Sequence, residues 1–238
     1  MSGHSKWSTI KHKKAKTDAQ RGKIFSKISR EIIMATKIGG EDTSMNPRLR
    51  LALQKAKEAN MPNDNIKRAI QKGSGNDEGA QYEELQFEAY AEHGIGLIID
   101  VLTDNKNRTL TNLKVILNKN KASLAEKGAV SYMFNTKGII LFEPTEHDEK
   151  IIDLAIENDA EDIEKKEDNS IEIIIPKNNL ENLKQIYDAL EYAYITASIT
   201  KIPTNTIKIS EKEAESIIKL IEKIEDDEDV QDVYSNFE

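Results

Sequence analysis

Between Gly138 and Lys201 the order of apolar periods leaves the chain few folds to choose from. A strand-like run, Gly138 to Phe142, is followed by a helical pattern from His147 to Asn158. Two more strand-like runs follow, around Ala160–Lys166 and Ile171–Ile175, then a helix from Leu180 to Tyr192 and a strand from Tyr194 to Lys201. The series reads β-α-β-β-α-β, the ferredoxin-like order, and it closes on itself. What remains beyond it, Ile207–Ile209, a helix from Ser210 to Glu225 and Val230–Tyr234, is too small to bury a core alone. It is expected to rejoin a sheet begun earlier, which makes the ferredoxin-like unit an insertion.

That earlier sheet is sought upstream. Tyr82 to Tyr90 alternates, Ile95 to Leu102 reads as a buried strand, and His93-Gly94 turns between them. Thr103 to Thr109 leads into a helix placed at Thr109–Asn118, its Asp and Asn residues read as turn and cap acceptors. Before this sheet lie three helical patterns. The first runs from Thr17 to Ile38 with Ile24, Phe25, Ile28 and Ile32 on one face. Asn46-Pro47 opens the second, as cap and first helical residue. The third carries Ile66, Ala69 and Ile70 and is placed to stop at Gly73, with Gly73–Gly79 as a linker. The fold class is therefore α+β and multidomain. Residues 1–20 form a basic arm and 21–75 a three-helix bundle. Residues 80–131 with 205–238 form an α+β domain, and 132–204 the inserted ferredoxin-like domain.

Charge directs the functional reading. Residues 1–80 hold 17 bases and 8 acids, a net +9, and residues 81–238 hold 17 bases and 34 acids, a net −17; together these give the chain's −8. The basic residues crowd the first thirty positions, where His4, Lys6, Trp7, Lys11, His12, Lys13, Lys14, Lys16 and Arg21 precede Lys23, Lys27 and Arg30. The segment to about Ala15 has neither a helical nor a strand period, so it reads as an irregular arm. Such an arm suits a polyanion, because each neutralised phosphate releases a counterion. Trp7, the one tryptophan, and the imidazoles of His4 and His12 are candidates for stacking on exposed bases. Lys23, Lys27 and Arg30 recur at helical spacing and form a basic stripe opposite the apolar one. Arg108 is a further candidate, for a phosphate contact or for locking the 103–109 loop. A solvated tail and a solvated helix face are the bland alternatives for the same residues.

Several classes find no support. The sequence has no cysteine, hence no disulfide framework, thiol nucleophile or cysteine-type zinc site. The four histidines, His4, His12, His93 and His147, show no metal-ligand spacing, and His147-Asp148-Glu149 reads as a helix start. The glycines of 73–79 are followed by no Lys-Ser/Thr, and Gly94-Ile95-Gly96 leads into a strand, so neither marks a nucleotide loop. We expect no enzyme activity, no cofactor and no metal. No apolar run reaches membrane-spanning length, so a cytoplasmic protein without a membrane partner, and a monomer, is expected. The run Glu225 to Asp229 reads as a solvated turn.

Several motifs together resemble one family. These are Gly3-His4-Ser5-Lys6-Trp7, Ile10-Lys11-His12-Lys13, Asp18 through Phe25, and Met61-Pro62-Asn63-Asp64-Asn65-Ile66. Lys72-Gly73-Ser74-Gly75, Asp104 through Thr109, and Met133-Phe134-Asn135 before Lys137-Gly138 complete the set. The chain is similar over its whole length to the YebC/PmpR family. The resemblance implies a helical bundle followed by an α+β domain with a ferredoxin-like insertion. It also implies a probable DNA-binding transcriptional regulator, although some members are translation factors on the ribosome, in bacteria at proline-rich stalls. The partner expected is thus nucleic acid, promoter DNA or ribosomal RNA. The alternative is an interaction protein whose acidic body docks a basic partner.

Overall fold

A computed structural model of the chain describes residues 18–75 and 81–238. They divide into two compact units. One holds the residues up to Ser131 together with Thr206–Glu238, and the other is Tyr132–Asn205.

The first unit begins with three helices, α1 (Asp18–Gly39), α2 (Pro47–Glu58) and α3 (Asn63–Ser74). The apolar period of α1 brings Ile28, Ile32 and Ala35 onto Leu49, Ala52 and Ala56 of α2 and Ala69 of α3, all buried. Asn46 fixes the α1–α2 corner and is itself buried. Its Oδ1 accepts from Leu49 N at 3.0 Å, while its Nδ2 donates to Ala35 O at 2.8 Å and Gly40 O at 2.7 Å. Contrary to expectation, Gly73 does not stop α3. The helix runs on to Ser74, and Gly73 is buried where α3 crosses α1. A Cβ there would lie 2.6 Å from Ile33 O and 2.6 Å from Thr36 Cβ. The glycine serves close approach rather than termination.

Next come β1 (Glu83–Tyr90) and β2 (Gly96–Thr103), antiparallel, then α4 (Lys106–Lys119) and β3 (Ser123–Ala125). His93 and Gly94, both at positive φ, turn the chain between β1 and β2. α4 starts three residues before the position expected at Thr109. Asn105 is its cap, Oδ1 accepting from Arg108 N at 3.0 Å, so residues that look like loop form the first turn.

The second unit is β4 (Phe134–Phe142), α5 (Asp148–Glu157), β5 (Asp162–Lys165), β6 (Ile171–Pro176), α6 (Leu180–Ala189) and β7 (Thr196–Pro203). Its antiparallel sheet has the order β5-β6-β4-β7, which is the ferredoxin-like topology. Ile140, Phe142, Ile171, Ile173 and Ile175 pack under Ile151 and Ala155 of α5 and Leu183 and Tyr187 of α6. At the start of α5 Asp148 reaches back and accepts from Thr145 N, ahead of the helix, at 2.8 Å. His147 makes no side-chain cap bond, and its ring stacks on Tyr192 with centroids 5.1 Å apart.

The chain then returns to the first unit through α7 (Glu211–Glu225) and β8 (Val230–Ser235). Ser210 and Glu213 form a capping box at the start of α7. β8 pairs antiparallel with β2, completing a sheet of order β3-β1-β2-β8, so the last elements do rejoin the sheet begun near Tyr82. One face of that sheet, with Leu97, Ile99 and Val101, is covered by Leu113 and Leu117 of α4 and Ile217, Leu220, Ile221 and Ile224 of α7.

Candidate nucleic-acid interface

The helical period that puts Lys23, Lys27 and Arg30 on one face of α1 aims them at the turn between α7 and β8. Lys27 Nζ donates to the carbonyl of Glu225 at 2.6 Å, and Lys23 Nζ pairs with Asp226 Oδ1 at 3.4 Å. Arg30 donates to the carbonyl of Glu228, meets the Glu228 carboxylate at 3.3 Å and reaches Asp229 Oδ1 at 2.9 Å. Its guanidinium also lies 6.0 Å from the centroid of the Tyr82 ring, within cation–π range. The end of α7 presents unsatisfied carbonyls and the negative pole of the helix dipole, so cations are favoured there even before the carboxylates are counted.

Asp229 is the centre of this contact. It is 2% exposed, and its carboxylate accepts from Thr109 Oγ1 at 2.6 Å, Thr103 Oγ1 at 3.1 Å and Arg108 Nη2 at 2.9 Å besides Arg30. Burial alone would raise its pKa. The Thr109 and Arg108 hydrogen bonds and the charges of Arg30 and Arg108 outweigh burial and hold the carboxyl below its ordinary range. Arg108 also binds Asp104 at 2.7 Å. The acidic run is therefore not simply a solvated turn: its last residue is a buried acceptor shared by two arginines. Nothing in the sequence singles Asp229 out from the four acids before it, because its partners come from α1, β2 and α4.

Arg48 is also held internally, by Glu31 at 2.8 and 3.1 Å and by Glu84. Arg68 folds back on Asp64 O at 3.1 Å and Asn65 Oδ1 at 2.6 Å. Lys37, Lys55, Lys57, Lys67 and Lys72, by contrast, are exposed and make no ion pair among the described residues. Residues 18–75 hold 12 bases and 6 acids, so these lysines carry a real excess of positive charge on the bundle. His4, Lys6, Trp7, Lys11, His12, Lys13, Lys14 and Lys16 lie outside the described residues. Arg21 falls within α1, its side chain undescribed.

A second buried carboxylate escaped the sequence reading. Glu88, on alternating β1, is 4% exposed and accepts from the backbone N–H of Gly128 at 2.8 Å, Val130 at 2.6 Å and Ser131 at 2.9 Å. Burial opposes its ionisation, and these donors reverse the balance and lower its pKa. Alternation gave it the solvent side of a strand, and only the fold of 128–131 over that side shows otherwise. Among the described residues no group of His, Asp and Glu could hold a metal ion, and no helix is long and apolar enough to cross a membrane.

Comparison with known proteins agrees with this architecture. A family model described as the TACO1/YebC second and third domain matches residues 82–237, and one described as the TACO1/YebC N-terminal domain matches residues 5–76. A probable transcriptional regulatory protein of Borrelia hermsii is 48% identical over all of this chain and 98% of its own length. One from Natranaerobius thermophilus is 46% identical over all of this chain and 96% of its own length. The crystal structure of a conserved hypothetical protein from Aquifex aeolicus superposes with a TM-score of 0.86 at 44% identity. It covers 98% of this chain and 97% of that one.

Proposed function

The chain belongs to the TACO1/YebC family, and from that premise we propose that it is a non-enzymatic, nucleic-acid-binding regulator of gene expression. Its relatives carry the name probable transcriptional regulatory protein. The observation that carries the proposal is the distribution of cations. Five lysines of the bundle are exposed and make no ion pair among the described residues, and the sequence before them carries five more, at Lys6, Lys11, Lys13, Lys14 and Lys16, while the rest of the chain is acidic. Such a surface binds phosphates by counterion release. Trp7, His4 and His12 add stacking for unpaired bases.

Lys23, Lys27, Arg30 and Arg108 take a different part in this reading. Their charges are answered by the 225–229 turn, so they brace the bundle from behind and the phosphate contacts fall to the arm and the outer lysines. Of the two nucleic acids considered, structured RNA such as ribosomal RNA fits better. Lysines on a helical surface bind backbone without reading base edges, and an arm with an indole and two imidazoles suits splayed bases. Promoter DNA remains the second reading, favoured by the name its relatives bear.

Cross-linking in cells, with the bound nucleic acid sequenced, tests this for the full chain and for a chain lacking residues 1–30. Cross-links concentrated in ribosomal RNA and lost with the arm are expected. Discrete promoter peaks would turn the reading to transcription, and no signal above background would end it.

A further inference from the structure

The ferredoxin-like unit, taken by itself, holds 16 acids and 7 bases, and its sheet ends in two unlike edges. β5 is four residues long, and Asp162, Glu164 and Lys165 make three of them charged. Short, charged edge strands resist pairing with further chains. β7 has eight residues and one charge, Lys201, before its closing Pro203. Its partner in the sheet is β4 alone. Thr204 N donates to Met133 O at 2.8 Å. Antiparallel alternation from that pair turns the backbone groups of Thr196, Ser198, Thr200 and Ile202 toward β4 and those of Ala197, Ile199 and Lys201 outward.

The side chains along this edge are unguarded as well. Ile199 is 56% exposed and Ile195 42%. Ile199 sits opposite Gly138, which offers it no cross-strand cover. Ala197 between them reaches the core beneath α6. The flank is acidic. Tyr194, just before β7, donates its hydroxyl to Asp188 at 3.1 Å, and the charge of Glu181 on the same helix reaches it too. Glu191 is exposed in the connecting loop.

We propose that the outer edge of β7 is a strand-addition site for an extended, lysine- or arginine-rich segment of a partner protein. The main chain of that segment pairs with the outward groups of Ala197 and Ile199. Its apolar side chains at alternate positions cover Ile195 and Ile199 on the face where α6 packs, the side chains between them turn to the opposite face, and cations at the end beside Ile195 meet Asp188 and Glu191. A second copy of this chain fits poorly. Edge-to-edge pairing about a twofold axis would bring two units of net charge −9 together with the same acids facing one another. Basic segments of the required kind are common in proteins that themselves sit on nucleic acid.

The test is fluorescence anisotropy of the full-length chain with a labelled peptide of alternating valine and threonine, as long as β7 and flanked by lysines, beside the same peptide flanked by glutamates. The lysine peptide should bind saturably and the glutamate peptide should not. Ile199→Pro removes an outward N–H that β4 does not use, and Ile199→Lys adds the kind of guard charge that β5 already has. Each should weaken the lysine peptide by about tenfold or more while the melting temperature stays near that of the parent. Ile199→Lys, which leaves every ladder bond in place, decides the matter if the proline variant fails to fold. Unchanged binding by Ile199→Lys would overturn the proposal, since the peptide would then only be coating an acidic surface. Equal binding of the glutamate peptide, or no saturable binding of either, would overturn it too. So would a concentration-dependent dimer that Ile199→Lys disperses, because the edge would then serve a second copy.

Discussion

Removing the Asp229 carboxylate leaves Arg30, whose side chain is 14% exposed, with the Glu228 carbonyl and the exposed Glu228 carboxylate but no buried anion. Breaking a buried pair from one side costs about 3–5 kcal/mol, so Asp229→Ala is expected to lower the urea midpoint by that equivalent at unchanged slope. Arg108→Ala should cost only about 1 kcal/mol. Its side chain is 45% exposed, water screens its pairs, and Arg30 stays on the carboxylate. The order of the two effects is the point of the experiment. Equal losses would mean that Asp229 is not the hub. Asn46 gives a second residue-scale expectation. Asn46→Ala removes a helix cap and takes one donor each from the carbonyls of Ala35 and Gly40, a loss of about 1–2 kcal/mol or slightly more, readable as a lower thermal midpoint.

Among the elements, α3 makes the clearest case for packing over propensity. Alanine in place of a helical glycine ordinarily gains about 1 kcal/mol. Gly73→Ala is instead expected to lose about 1–3 kcal/mol, because the new methyl meets the backbone of Ile33 and the β-carbon of Thr36, neither of which can swing aside. A stabilised variant would show that α1 and α3 separate easily. The same residue explains one limit of reading the chain by eye. Glycine ends helices and also lets helices touch, and the sequence does not distinguish the two uses. Asn105 repeats the difficulty: an asparagine in a loop and an asparagine capping a helix look alike, so α4 begins before its expected start. The β-α-β-β-α-β order was legible because it rests on changes of period over whole elements, which no single residue can disguise. The basic stripe was legible as a stripe, but its partners were not. Periodicity fixes which residues share a face, and the turn that answers Lys27 stands 198 residues further along the chain.

At the scale of the whole molecule, charge links the acid stability of the fold to the proposed binding. Asp229 and Glu88 are both held below their ordinary values of 3.8 and 4.5. A carboxylate depressed in the folded state stabilises fully above its unfolded pKa and loses that contribution as pH falls through the folded one. Melting temperature should therefore hold steady down to about pH 4.5 and fall below it, with a smaller acid-induced drop in Glu88→Gln. Binding is expected to follow a separate set of cations. Changing Lys11, Lys13 and Lys14 to glutamine should reduce the salt slope of RNA binding by about one unit per lost phosphate contact. Lys27→Gln should change stability and leave that slope alone, and a reduced slope would return α1 to the nucleic-acid surface.

The split first unit also has a schedule. A chain is made from its N-terminus, so α1, β1 and β2 leave the ribosome long before β8 does. At about 5–20 residues per second, the stretch from Ser131 to Val230 takes on the order of 5–20 s to appear. Throughout that interval the inserted unit can complete itself, while β2 waits with an open edge and Arg30 and Arg108 wait without their carboxylate. The part of the protein begun first is thus the last to be finished, and its closing step is the arrival of one aspartate.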